Sequence, residues 1–353
     1  MIIAPAMRVL VSGGAGYIGS HMALVLAEAG YEITIVDNCS TGHRGAVDAV
    51  RLAVASASIV FEECSLDERD RIAALMTERR IEAVIHFAAR ASIAESCEHP
   101  LQYWSTNVGA TVALLEAMQI ATVQRLIFSS TCATYGVADG ACTGIDESSP
   151  QHPINPYGAS KVAAERAIRD FQHANHRGGG SFAAATLRYF NVVGSDPAGR
   201  IGEVHDPEHH LVPSCLLAAL GRRSAIEIFG EDHPTSDGTC IRDYVDVSDV
   251  CAAHLAALHH LRDGSEITLN VGAGRGHSVR EVVRACERVS QCEIPTRTAA
   301  RREGDPAKLI ANTREINRLL GWTPLRSLDD SIASAWRWLK ANPAGYAEVK
   351  RES

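Results

Sequence analysis

The sequence predicts an α/β fold, a doubly wound parallel sheet joined to a smaller, interleaved α/β domain toward the C-terminus. Three observations predict it. Short, near-continuous apolar runs alternate with amphipathic stretches through the first half of the chain. That is the pattern of strands buried on both faces and linked by helices. A glycine-rich turn directly follows the first of these runs. After Asn191 the texture changes to Gly, Pro, His and Asp, and apolar runs then return.

The elements follow in order. RVLVSG (8–13) reads as a buried strand, and YIGSHMALVLAEAG (17–30) as a helix closed by Gly30. EITIVDN (32–38), AVIHFAA (83–89), RLIFSS (125–130) and FAAATLRYFN (182–191) read as further strands. DERDRIAALMTERR (67–80) and TNVGATVALLEAMQ (106–119) are the helices between them, and a further helix is expected over 157–174. Beyond it lie one helical stretch, PSCLLAALGRR (213–223), and two strands expected to return to the sheet, TCIRDYVDV (239–247) and ITLNVG (267–272). The expected division is residues 1–190, with returning strands near 239–272, and a second domain over 191–353.

Composition narrows the function classes. With 353 residues and 46% hydrophobic content the chain can bury a sizeable core. A net charge of −8 argues against a nucleic-acid or anionic-membrane surface. No uninterrupted apolar stretch is long enough to span a bilayer, and MIIAPAMRVLV lacks a secretory leader's basic region. Ten scattered cysteines without a C-x-x-C fit reduced thiols and a cytoplasmic protein.

Gly13, Gly16 and Gly19 form G-x-x-G-x-x-G between the first strand and the first helix. A phosphate approaching such a turn needs residues without Cβ, and the helix N-terminus offers free N–H groups and a positive dipole end. Asp37 closes the next strand, 18 residues beyond Gly19. A carboxylate there binds both ribose hydroxyls and repels a 2′-phosphate, which favours NAD over NADP. The reading is a Rossmann-type NAD-binding domain.

Tyr157 stands four residues before Lys161, the first of only four lysines. Eight tyrosines and four lysines in 353 positions give roughly 0.1 such pairs by chance. On a helix the two share a face. A tyrosine is a poor base at pH 7, but a neighbouring ammonium and an oxidised nicotinamide both favour its phenolate. Such a phenolate takes a proton from a sugar hydroxyl as hydride leaves the same carbon. Ser129, Ser130 and Thr131 end a strand upstream, where a hydroxyl can join the relay.

Across nearly the whole chain these residues resemble the extended short-chain dehydrogenases/reductases, and within them the UDP-sugar 4-epimerases. The resemblance rests on GGAGYIGSH, HFAA, SSTCATYG, NPYGASK, LRYFNVVG, HHLVP, DGTCIRDYVDV and RREGD. It implies a tightly bound NAD, a C-terminal UDP-sugar domain, a homodimer built from the helices containing Asn107 and Tyr157, and reversible epimerisation at C4 of a UDP-hexose through a 4-keto intermediate. By the same route Tyr157 is the base, Thr131 bonds O4 and Lys161 holds the ribose. Cofactor contacts fall on Gly13, Gly16, Tyr17, Ile18, Gly19, Asp37, Asn38, Phe87, Ala88, Asn107 and Tyr189. Substrate contacts fall on Asn191, His210, Leu211, Phe229, Arg242, Arg302 and Asp305. The two arginines suit a diphosphate on their own chemistry, because guanidinium forks match phosphate oxygens.

The chain departs from that family at several points. EECSLD places Ser65 where an acidic residue commonly reads the adenine, and RAS places Ala91 where some members carry a lysine. Arg90 is adjacent but would have to point differently. Leu309, intermediate in size, stands where pocket width governs an N-acetyl group and leans against acetylated sugars. The first six residues extend beyond the family's usual start, and the resemblance assigns them no role. In EVHDPEHHLV (203–212), His205 and His209 are four apart, but Pro207 breaks the helix a metal pair would need, so no metal site is expected. Two rival readings are the same chemistry on a UDP-pentose and an NAD-binding regulatory protein without catalysis. The intact Thr131, Tyr157 and Lys161 set counts against the second.

Overall fold

The computed structural model describes residues 7–137, 144–302 and 305–346. The first six residues, and Glu303 and Gly304 of the RREGD stretch, lie outside the described residues. β1 (Arg8–Ser12) leads through the glycine turn into α1 (Tyr17–Glu28), followed by β2 (Glu32–Asp37), α2 (Arg44–Ala53), β3 (Ile59–Glu63), α3 (Arg69–Glu78) and β4 (Ala83–His86). Then come α4 (Ile93–Glu98), α5 (Pro100–Tyr103), a π turn over Trp104–Gly109, α6 (Ala110–Ile120), β5 (Arg125–Thr131), α7 (Pro156–Arg177) and β6 (Ala183–Tyr189). The later chain forms β7 (Asn191–Val193), α8 (Leu211–Ala219), β8 (Ile226–Phe229), β9 (Ile241–Asp246), α9 (Val247–His260) and β10 (Glu266–Val271). It ends with β11 (Gly276–Ser278), α10 (Val279–Ser290), β12 (Thr296–Ala299), β13 (Lys308–Leu309), α11 (Arg314–Leu320) and α12 (Leu328–Ala341).

Seven strands form one parallel sheet in the order β10-β6-β5-β4-β1-β2-β3. Successive side chains on a strand point to opposite faces, so both faces must be covered. Val9, Val11, Ile33, Ile35 and Ile85 pack with Met22 and Leu26 of α1 and Val250 and Leu258 of α9. Leu10, Val84, Leu126 and Phe128 pack with Ile72 of α3, Leu114 and Met118 of α6, and Ile168 of α7. The strand runs therefore read as continuously apolar because neither face meets water.

The expected strand over 239–247 forms as β9, but it does not return to the large sheet. It is the hub of a small sheet, antiparallel to β11 and parallel to β7 and β13. Only β10 rejoins the large sheet, beside β6. The reason is local: β7 follows β6 after a single residue and pairs Asn191 to Val193 with Tyr244 to Asp246, which draws β9 away. A third apolar cluster, including Val212, Leu216, Val282, Cys286 and Ile332, fills the space among α8, α10 and α12. Among the described residues no helix is long and apolar enough to cross a membrane.

Candidate active site

The order of the large sheet reverses between β1 and β4, and a crevice opens there at the carboxyl ends of the strands. The glycine turn stands at that point. Gly13 has φ +71°, and a Cβ on it would lie 2.4 Å from the backbone nitrogen of Ala88, after β4. At Gly19 an added carbon would meet the Gly13 carbonyl at 2.1 Å. At Gly16 it would have only that carbonyl nearby, at 3.3 Å, and would otherwise occupy the crevice. Helix α1 starts at this glycine with no capping side chain. The first N–H groups of α1 are thus left for an anion.

Asp37 ends β2 at the same crevice. Its carboxylate accepts from Ala15 N at 2.9 Å and Cys39 N at 2.8 Å, which fixes its orientation while burial raises its pKa. Its free lone pairs suit ribose hydroxyls. Ser65 and Leu66 line the next stretch of wall, and Ser65 N–H donates to Glu68. Arg90 does not reach across the crevice, since its guanidinium is held by Glu95 at 2.7 Å.

Tyr157 lies in the first turn of α7. Asn155 caps that helix by accepting from Gly158 N at 2.8 Å, and Pro156 fixes its first dihedral. The turn is pressed so close to the residues after β5 that a Cβ at Gly158 would sit 2.5 Å from the Ala133 carbonyl. This packing brings Tyr157 beside Thr131. Burial pushes the Tyr157 phenol up to about 12, and the neighbouring Thr131 hydroxyl pulls the other way. One turn on, the buried Lys161 donates to the Ser129 carbonyl at 2.8 Å, with Nζ 4.8 Å from the centre of the Phe128 ring. Burial lowers its pKa to about 7, and Glu165 partly restores it. Tyr189, at the end of β6, is hydrogen-bonded to the buried His254 ring.

The opposite wall comes from the C-terminal elements. Arg242 on β9 is largely buried and pairs with Asp305. Arg302 lies with its guanidinium carbon 3.8 Å from the ring centre of Phe229, which ends β8. Asn191 starts β7, and His210 and Leu211 start α8. Leu309 on β13 is in register with Arg242 and also faces the cleft. Two guanidinium groups and apolar side chains thus line the same cleft as Tyr157 and Thr131.

All the candidate residues except Asn107 line this single continuous cleft. Asn107 is buried behind the wall. Its amide exchanges hydrogen bonds with the Arg90 backbone at 2.9 and 3.0 Å and donates to Ser160 Oγ at 3.0 Å. It braces the loop after β4 against α7 and does not face the cleft. Sequence reasoning missed the loop 39–44, which lines the cleft beside Asp37, and Asp243, a buried acid. Asp243 accepts from the backbone nitrogens of Ala273, Gly274 and Ala311. The only signal for Asp243 was an acid in a strand beside the candidate Arg242.

Residues 9–272 match the NAD dependent epimerase/dehydratase family. The chain is 42% identical to the UDP-glucose 4-epimerase of Halalkalibacterium halodurans, over 98% of this chain and 99% of that protein. It is 43% identical to a probable UDP-arabinose 4-epimerase 3 of Oryza sativa subsp. japonica, over 96% of this chain and 84% of that protein. Its fold is similar to the crystal structure of a UDP-glucose 4-epimerase from Stenotrophomonas maltophila with bound NAD and formylated UDP-arabinopyranose. The TM-score is 0.90 and the identity 40%, over 96% of this chain and 99% of that one.

Proposed function

The chain belongs to the NAD-dependent epimerase/dehydratase family, and on that premise we propose that it interconverts UDP-glucose and UDP-galactose by inversion at C4. The observation that carries the reading is that Tyr157 and Thr131 share with Arg242 and Arg302 the cleft that starts at the glycine turn. The residues present fit NAD: Gly16 leaves room for a phosphate, α1 begins uncapped, and Asp37 is placed for a ribose. Bound NAD supplies the acceptor, and in return the donor, of the hydride at C4.

In this reading the glycine turn and Asp37 hold the dinucleotide, and Lys161 and Tyr189 border its nicotinamide end. Tyr157 takes the proton from O4 and later returns it. Thr131 holds O4 within reach of that phenol. Arg242 and Arg302 retain the diphosphate while the 4-keto sugar turns about its linkage and presents its other face. Leu309 borders the sugar and favours a hexose without an N-acetyl group. The enzyme works as a cytoplasmic homodimer. Exposed Leu101, Trp104 and Val112 on α5, the π turn and α6 support the dimer. The nine described cysteines, none in a disulfide, support a reducing compartment.

The pentose reading has its own support, because the relative named for UDP-arabinose is as similar as the one named for UDP-glucose. One experiment separates them: UDP-glucose, UDP-N-acetylglucosamine and UDP-xylose assayed side by side with the same preparation. The expected outcome is the highest kcat/KM on UDP-glucose, with no net gain of NADH. Preference for UDP-xylose moves the assignment to the pentose, and turnover of none of the three with NAD added sinks both.

A further inference from the structure

We propose that Glu203, His205, Glu208 and His210 form a binding site for one divalent transition-metal ion at the rim of the cleft. The four lie on the loop between β7 and α8, and their ligand atoms all fall within 4.8 Å of one another. The sequence pairs His205 with His209, and Pro207 excludes a helix there. The loop instead brings His205 together with His210 and sets a carboxylate against each.

Three of the four separations lie near the spacing of ligands on one ion, and the fourth, a hydrogen bond between His210 Nδ1 and Glu203 Oε1, would open as the ion enters. His205 Nδ1 is 3.1 Å from Glu203 Oε1 and 3.7 Å from Glu208 Oε2. His210 Nδ1 is 2.5 Å from Glu203 Oε1 and 3.7 Å from Glu208 Oε1. Four ligands at zinc-like bond lengths around a tetrahedron stand about 3.4 Å apart. His205 Nδ1 is buried and, although a carboxylate is nearby, it lacks a hydrogen-bond partner of acceptable geometry. The Glu203 and Glu208 side chains are only 6% and 9% exposed, and no Arg or Lys pairs with either among the described residues. Without a metal the two buried carboxylates are balanced by protonated His205 and His210, whose pKa values the carboxylates raise, and a divalent ion would replace those two protons. Two imidazoles with two carboxylates select zinc, cobalt or nickel over calcium or magnesium, which take oxygen sets.

The ion would pin the loop that closes this side of the cleft. His43, from the loop beside Asp37, contacts the Val204 carbonyl at 3.2 Å, and His210 precedes the first residue of α8. The site thus ties the cofactor side to the substrate side without entering the proton path of Tyr157.

The test uses the full-length protein, dialysed against a chelator and then titrated with Zn2+ or Co2+ in equilibrium dialysis. Neither measurement needs substrate, so failure of the metal site and failure of the epimerase reading are distinguishable. The expected result is one Zn2+ per chain, a raised melting temperature, and visible Co2+ absorption with nitrogen and oxygen ligands. His205→Gln and Glu208→Gln, each checked for a wild-type circular dichroism spectrum, lower the affinity by roughly 100-fold. If one variant does not fold, the other is decisive. Absence of one-to-one uptake by the wild type overturns the proposal and leaves an ion-pair cluster only. Wild-type affinity in a folded His205→Gln or Glu208→Gln protein also overturns it.

Discussion

At the scale of single residues, Tyr157 and Lys161 are each shifted toward the neutral form by burial. The phenol is pushed up to about 12 and the ammonium down to about 7. Each charge is costly in that buried setting, and in the proposed mechanism the ammonium favours the phenolate. Lys161→Met removes the ammonium and leaves Tyr157 with its burial. The pH–rate profile of that variant is therefore expected to have its acidic limb, set by the ionisation of Tyr157, displaced upward by about one unit or more, with at least a tenfold loss at neutral pH. A limb that stays where the wild type has it would remove Lys161 from the ionisation of Tyr157. This pair was legible in the sequence because helical spacing alone places i and i+4 together. Asn107 was not, because a helix position does not say whether a side chain faces a ligand or the next helix. Its amide is taken up by Arg90 and Ser160.

At the scale of elements, the strands of the large sheet were legible because burial on both faces leaves continuous apolar runs. The start of α7 was legible as well, with Asn155 and Pro156 ahead of Tyr157. The sheet that β9 joins was not: a strand's pattern tells what it buries and not which neighbour it pairs with. The helix expected over 106–119 begins as a π turn, and the chain around it carries Leu101, Trp104 and Val112 at 80%, 42% and 40% exposure. Apolar side chains left in water on consecutive elements fit a second copy of the chain. Light scattering is expected to give the mass of two chains for the wild type, and of one chain for Trp104→Arg combined with Val112→Arg. A wild type that elutes as a single chain at micromolar concentration counts against the dimer.

At the scale of the whole molecule, the division of labour was legible and its wiring was not. The dinucleotide half announces itself through contiguous residues, whereas the substrate wall is assembled from β7, α8, β8, β9 and β13. Those contacts are set by tertiary packing, which spacing along the chain does not encode. The same packing buries His21, His86 and His254 with lowered pKa values, and this shapes how the molecule meets acid. His86 sits between Ser12 and Thr111, with its pKa lowered to about 3. His21 and His254, each bonded to a helix carbonyl, are lowered to about 4. Burial is the main cause in all three. A histidine with a depressed folded pKa lets the unfolded chain bind more protons below pH 6.5, so each one destabilises the fold as pH falls. Asp243 acts in the opposite sense: burial raises it to about 6, so the folded state takes its proton first. Among these four groups the three imidazoles outweigh Asp243, so their combined effect lowers stability between pH 7 and pH 5. Urea unfolding at the two pH values is expected to show a midpoint clearly lower at pH 5. His86→Gln, which keeps a hydrogen-bonding side chain but cannot titrate, is expected to recover about a third of the histidine contribution. An unchanged midpoint in the wild type would mean that these imidazoles already bind protons in the native state.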